Sequence, residues 1–234
     1  MEPILVDDFN VQIDHEALRE KLRLKPGRPT PPEVERLLVE AQALAHPRAA
    51  YLLSGILARA DDEVQIEGQN ASPVTFTSRV LRINLDPVHR LFPYLVTAGG
   101  ELDAWARAET DLLTRFYADQ IQEHLLHRAL HQLTDRLREA YGTSLLASQS
   151  PGSLTDWPLS QQVPLFALFG AAAGAIGVQL QPSLLMTPAK TISGFMYESE
   201  NGFASCQLCP RENCSNRRQP YDPELFDQRY APSK

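Results

Sequence analysis

The stretch that most constrains the fold is residues 101–141, where Leu112, Phe116, Glu123, Leu126, Leu130, Leu133 and Leu137 recur close to the helical period and Gly142 follows as a stop. One long amphipathic helix is therefore expected, and it needs a broad apolar layer to lie on. Residues 49–57 and 91–98 are apolar enough for buried strands. Residues 64–67 alternate with a period of two, and 74–76 read as their hairpin partner. Two more strands are expected over 178–186 and 191–197, joined by a turn through Pro188. Helices are expected over 15–22, 31–45, 78–85 and 159–169, with Thr30 as the cap of the second. Strands and helices follow one another without a regular βαβ alternation, which points to a mixed architecture.

A hydrophobic content of 43% over 234 residues supports a sizeable core. The net charge of -7 argues against a general nucleic-acid or anionic-membrane surface, so a protein or small-molecule partner is expected. Residues 163–178, the most apolar run, contain Pro164 and are shorter than the roughly 20 residues of a membrane span. The first ten residues lack the basic and apolar regions of a signal peptide, and a cytoplasmic location is expected. His124, His127 and His131 share a side of the long helix without a nearby carboxylate in a metal motif, and read as a polar or packed face. The glycines of 170–174 lack the Lys-Ser/Thr of a phosphate loop and read as helix packing.

All three cysteines, Cys206, Cys209 and Cys214, fall within nine positions near the C-terminus. Two thiols separated by two residues, with a third after a short polar loop, suit a tetrahedral metal or three corners of an iron-sulfur cube. A structural zinc site wants a fourth ligand, and none follows Cys214; His131 lies far upstream. A [4Fe-4S] cluster tolerates an open iron, which water, Asp222 or a bound partner can fill. Pro210 directly follows a cysteine, as in ferredoxin loops, and Arg211, Arg217 and Arg218 can offset cluster charge. Iron-sulfur is the leading reading, with zinc, a thiol redox pair and an empty site as alternatives. Clustered thiols also suit a reducing compartment.

Residues 145–162 form a loop marked by Pro151-Gly152 and Trp157-Pro158. Its Ser150-Pro151-Gly152-Ser153 and the run from Trp157 to Gln162 are followed by Ile176-Gly177-Val178-Gln179-Leu180 and by the run from Met186 to Gly194. In this order the four blocks resemble the activation (reactivation) domain of vitamin B12-dependent methionine synthase, most of all its small free-standing relatives. The likeness covers roughly residues 15–197. Residues 1–197 are thus expected to form an activation-domain-like domain and 198–234 a cysteine-containing, metal-binding tail, an appendage rather than part of the main core.

The resemblance implies an α+β fold with a twisted, largely antiparallel sheet flanked by helices. It implies a partner, a cobalamin-dependent methyltransferase, whose cob(II)alamin is reduced and then remethylated from S-adenosylmethionine. The family's Arg-x-x-Pro-Gly-Tyr loop lies against both the methyl donor and the cobalamin. Here Ser150, Pro151 and Gly152 match its centre, Ser148 stands at the arginine position, and Ser153 stands at the tyrosine position. Glu123 matches the acid that meets the donor's amino group. A serine cannot give the bidentate, permanently charged grip of an arginine, so this loop is expected to face cobalamin without binding S-adenosylmethionine tightly. The expected function is that of a redox partner which takes electrons from a donor and passes them through the cysteine-bound cluster to cobalt. The alternatives are a corrinoid-shielding module with a structural zinc, and a reactivator that still uses S-adenosylmethionine.

Overall fold

In a computed structural model, residues 2–25, 27–200, 202–214 and 217–231 are described. Among them, eight strands form one antiparallel sheet with helices on both faces, the α+β architecture expected. The chain opens with β1 (Ile4–Val6), α1 (His15–Lys21) and α2 (Pro32–Leu44). Thr30 does not cap α2. Pro31 holds that position without a side-chain bond, and the Thr30 hydroxyl accepts from Arg19 Nη1 instead.

The apolar run expected as a single strand over 49–57 is two strands, β2 (Arg48–Tyr51) and β3 (Ser54–Ala60). A hairpin of β4 (Glu63–Glu67) and β5 (Pro73–Thr77) extends β3, and α3 (Arg79–Asn84) leads into β6 (Arg90–Thr97). β6 is the centre of the sheet: β2 pairs with Tyr94–Thr97 and β3 with Arg90 and Leu91 along the same edge. Pro93, which has no N–H to give a ladder, sits where β2 hands over to β3; its carbonyl accepts from Leu52 in the gap.

The long helix is divided. α4 (Gly100–Ala108) stops at Glu109, and Asp111 caps α5 (Leu112–Tyr141) by accepting from the amides of Leu113 and Thr114. Gly142 closes α5 in the left-handed conformation, as expected. The buried stripe of α5 runs through Ala118, Ile121, Leu125, Ala129, Leu133 and Leu137, so Leu112 and Phe116 face outward. The segment expected as an irregular loop from 145 begins with a strand, β7 (Leu146–Gln149). After it come α6 (Gln162–Phe169), α7 (Ala171–Ala175), the two-residue strands β8 (Gln179–Leu180) and β9 (Met186–Thr187), and β10 (Thr191–Glu198). The strand expected over 178–186 is therefore a small separate hairpin.

β10 pairs with β6 along its full length and carries β7 on its other edge. Side chains alternate across this centre. Phe92, Tyr94, Val96 and Met196 face the core under α1, α2, α4 and α5, whereas Leu91, Leu95, Phe195 and Tyr197 face a second core with α3, α6 and Trp157. Burial on both faces explains why β6 is an unbroken apolar run rather than an alternating one. The tail, expected as an appendage, contributes to the second core: Phe203 and Tyr230 are buried there, with Leu208 and Leu225 packed against it. No helix among the described residues is long and apolar enough to cross a membrane.

Candidate functional site

The loop that follows β7 is a tight turn. Ser153 N donates to the Ser150 carbonyl at 3.1 Å, Pro151 occupies the second position and Gly152 the third with φ +81°, the type II arrangement. Gly152 N also donates to the Trp157 carbonyl at 2.7 Å, and a Cβ at Gly152 would approach Leu159 Cδ1 to 3.0 Å. Pro151 is buried while Gly152 and Ser153 are exposed, so the turn presents backbone and small side chains to solvent. At the far end of the loop Trp157 is buried against Phe76 and Phe195, and Asp156 accepts from Val80 N at 3.0 Å and from the Ser78 hydroxyl. Both ends of the loop are thus anchored to rigid elements.

The loop's start is pressed against β10 at Gly194, where a Cβ would collide with the Gln149 carbonyl oxygen. That close passage keeps Ser148 and Ser150 beside Tyr94 of the central strand. Burial raises the Tyr94 phenol above its ordinary value, and hydrogen bonds from Ser150 and Ser148 only partly oppose this.

Glu123 lies one helical turn before His127 on α5 and is ion-paired to Lys190 at 3.2 Å, with only 18% of either side chain exposed. Lys190 also reaches Asp119 at 3.0 Å. Burial lowers the His127 imidazole, which further feels the charges of Lys21, Glu123 and Arg218. His124 is a structural residue: it is buried, its Nε2 accepts from Asp14 N at 3.1 Å, and burial lowers its pKa.

The tail runs directly over β7. Ala204 bridges Ser148 in parallel, and the hydroxyls of Ser153 and Ser205 lie 3.2 Å apart. Arg218 Nη1 donates to Ser148 Oγ at 3.0 Å, and the backbone N–H of Arg218 donates to Cys206 Sγ at 3.4 Å. Burial raises the Cys206 thiol, but the amides of Arg218 and Gln219 and the charge of Arg218 outweigh it and lower the pKa. Sequence reasoning weighed Arg218 only as a counter-charge for a cluster. Its place on Ser148 depends on a fold of the tail that local pattern does not announce.

The three sulfurs do not form a ready site. Among the described residues, no group of three His, Cys, Asp or Glu side chains is arranged to hold a metal ion. Cys206, Cys209 and Cys214 are free and partly exposed. Inside the cysteine loop the Arg217 guanidinium donates to the carbonyls of Cys206 (3.1 Å), Cys209 (3.3 Å) and Arg211. Asp222 serves as a cap, accepting from the amides of Glu224 and Leu225. Arg79 holds the far end of the tail through the carbonyls of Tyr230 and Ala231. Two cavities lie elsewhere: one of about 650 Å³ beside α2, lined by Gln12, Leu38, Val39 and Gln42, and one of about 460 Å³ near Tyr197 and Arg229.

No protein-family model matches the sequence, and no curated protein matches it. Among solved structures, the chain is similar to the MetH reactivation domain bound to AdoHcy, with a TM-score of 0.61 and 15% identity over 87% of this chain and 80% of that one. The fold of this chain is therefore that of a methionine synthase reactivation domain.

Proposed function

We propose that the protein is a reactivation partner of a cobalamin-dependent methyltransferase: it docks on the corrinoid with the loop after β7 and takes an S-adenosyl ligand on the face between Glu123 and Ser148. The observation that carries this reading is the exposed Ser150–Ser153 turn, anchored at both ends, on a fold shared with a domain solved with AdoHcy. A turn whose exposed tip is a glycine lets backbone approach a flat ligand closely, because no Cβ intervenes. Ser150 and Pro151 set the turn, Gly152 and Ser153 form its exposed tip, and Glu123 offers a carboxylate to an ammonium group. The test is a titration of the protein into the cob(II)alamin form of a methionine synthase that lacks its own reactivation domain. Complex formation with a changed visible spectrum is expected; unaltered spectra and independent sedimentation would contradict the reading.

Electron delivery through an iron-sulfur cluster on Cys206, Cys209 and Cys214 is the second reading. What favours it is position: the cysteine segment follows Ser205, which touches Ser153 of the turn. As folded, no three His, Cys, Asp or Glu side chains among the described residues are arranged to hold a metal. Anaerobic purification with iron, sulfide and zinc analysis decides it: about four irons per chain with matching sulfide supports a [4Fe-4S] cluster. Zinc without sulfide, or metal-free protein, removes electron transfer and leaves the docking role standing.

A further inference from the structure

We infer that the tail completes the ligand face: Arg218 is the residue that receives the carboxylate of an α-amino-acid ligand there, opposite Glu123, which addresses its ammonium group. The inference rests on the S-adenosyl reading proposed above and names the residue that gives it specificity.

Three observations carry it. The first is position. Arg218 Nη1 lies 3.0 Å from Ser148 Oγ, on the strand that leads into the turn, and the residue is exposed. The second is charge. None of the ion pairs among the described residues uses Arg218; what holds it is a hydroxyl and the Cys206 sulfur. A guanidinium has five donors in a planar fork matched to a carboxylate, and neither a hydroxyl nor a thiol matches that fork. The third is arrangement. Ser148 pairs with Met196 of β10, whose sulfur meets Thr134 Oγ1 at 3.8 Å, so the strand that holds Arg218 lies beside α5, the helix that carries Glu123, and the His127 imidazole of that helix feels the charges of both.

The backbone makes this placement specific rather than incidental. Arg218 N is held by Cys206 Sγ, Arg217 ties down the carbonyls of Cys206 and Cys209, and Ala204 and Ser205 join the tail to Ser148 and Ser153. An exposed arginine on a free tail would lose much side-chain and backbone entropy on gripping a ligand; here the backbone part is already spent. The expectation that the loop lacks a permanent positive charge holds for residues 148–153 alone. The tail brings one to the same strand from 70 residues away.

The experiment is calorimetric titration of the full chain with AdoHcy and, separately, with adenosine, which lacks the amino-acid group. The unmodified protein is expected to bind AdoHcy, and Arg218→Gln to bind it roughly ten- to a hundredfold more weakly, with adenosine binding unchanged. Adding Ser148→Arg to Arg218→Gln is expected to recover most of the affinity, because the guanidinium then enters from the strand itself. Equal AdoHcy affinity in the unmodified protein and Arg218→Gln overturns the inference. So does a loss of adenosine binding in step with AdoHcy, which marks a merely structural role. If the unmodified protein binds neither ligand, the S-adenosyl reading falls together with this inference, while the spectral titration with cob(II)alamin methyltransferase judges docking on its own.

Discussion

Gly194 shows how much of the site depends on one missing methyl group. A Cβ there meets the Gln149 carbonyl, which belongs to backbone and cannot swing aside. Gly194→Ala is expected to separate β7 from β10 and destabilise the protein by about 1–3 kcal/mol, measured by denaturant unfolding. A change within about 0.5 kcal/mol would show that the strands can part freely. The Pro151-Gly152 turn was legible in the sequence because its chemistry is local. The demand on Gly194 was not, because it comes from a strand 45 residues away in the chain. His124 makes a second residue-scale prediction. Burial holds its folded pKa below the unfolded value of 6.5, so between the two the unfolded chain binds the extra proton. Stability is therefore complete above the unfolded pKa and falls as pH drops from there through the folded value. Thermal midpoints should decline from about pH 7 to about pH 5, and His124→Gln should flatten the decline. An equal decline in the variant would assign the effect to other groups, His127 first among them.

At the scale of elements, the tail is the instructive case. Its polar, charged composition reads as an appendage, and the apolar residues that dock it, Phe203, Leu208, Leu225 and Tyr230, are too scattered to show a period. Tertiary packing assembles them. Burying a side chain of the size of Phe203 or Tyr230 contributes about 1.5–3 kcal/mol, and the tail also covers the edge of β7. Truncation after Glu198 is thus expected to lower the thermal midpoint by several degrees and to promote aggregation through the bared strand. Cys206→Ser, which leaves these anchors in place, is expected to unfold close to the unmodified protein. A truncated chain as stable as the full one would return the tail to the status of an appendage. The long helix failed differently. Its existence and its Gly142 stop were legible, but the break at residues 109–111 and the outward turn of Leu112 and Phe116 follow from how α5 lies on the sheet.

For the whole molecule, the order of four short blocks was enough to anticipate a sheet flanked by helices, and the solved reactivation domain has that fold. The residues anticipated from the resemblance were Glu123 and residues 150–153. The fold brings Lys190 to Glu123, and Tyr94 and Arg218 to Ser148, contacts between residues far apart in sequence. Reactivation itself is the decisive property of the molecule. A methionine synthase lacking its reactivation domain, poised as cob(II)alamin, would be supplied with S-adenosylmethionine and a low-potential reductant, and methylcobalamin formation followed by its visible spectrum with and without this protein. The expected result is methylcobalamin appearing only when the protein is present, at a rate that saturates as the protein is increased and drops sharply with Arg218→Gln. Identical traces with and without the protein would contradict the account.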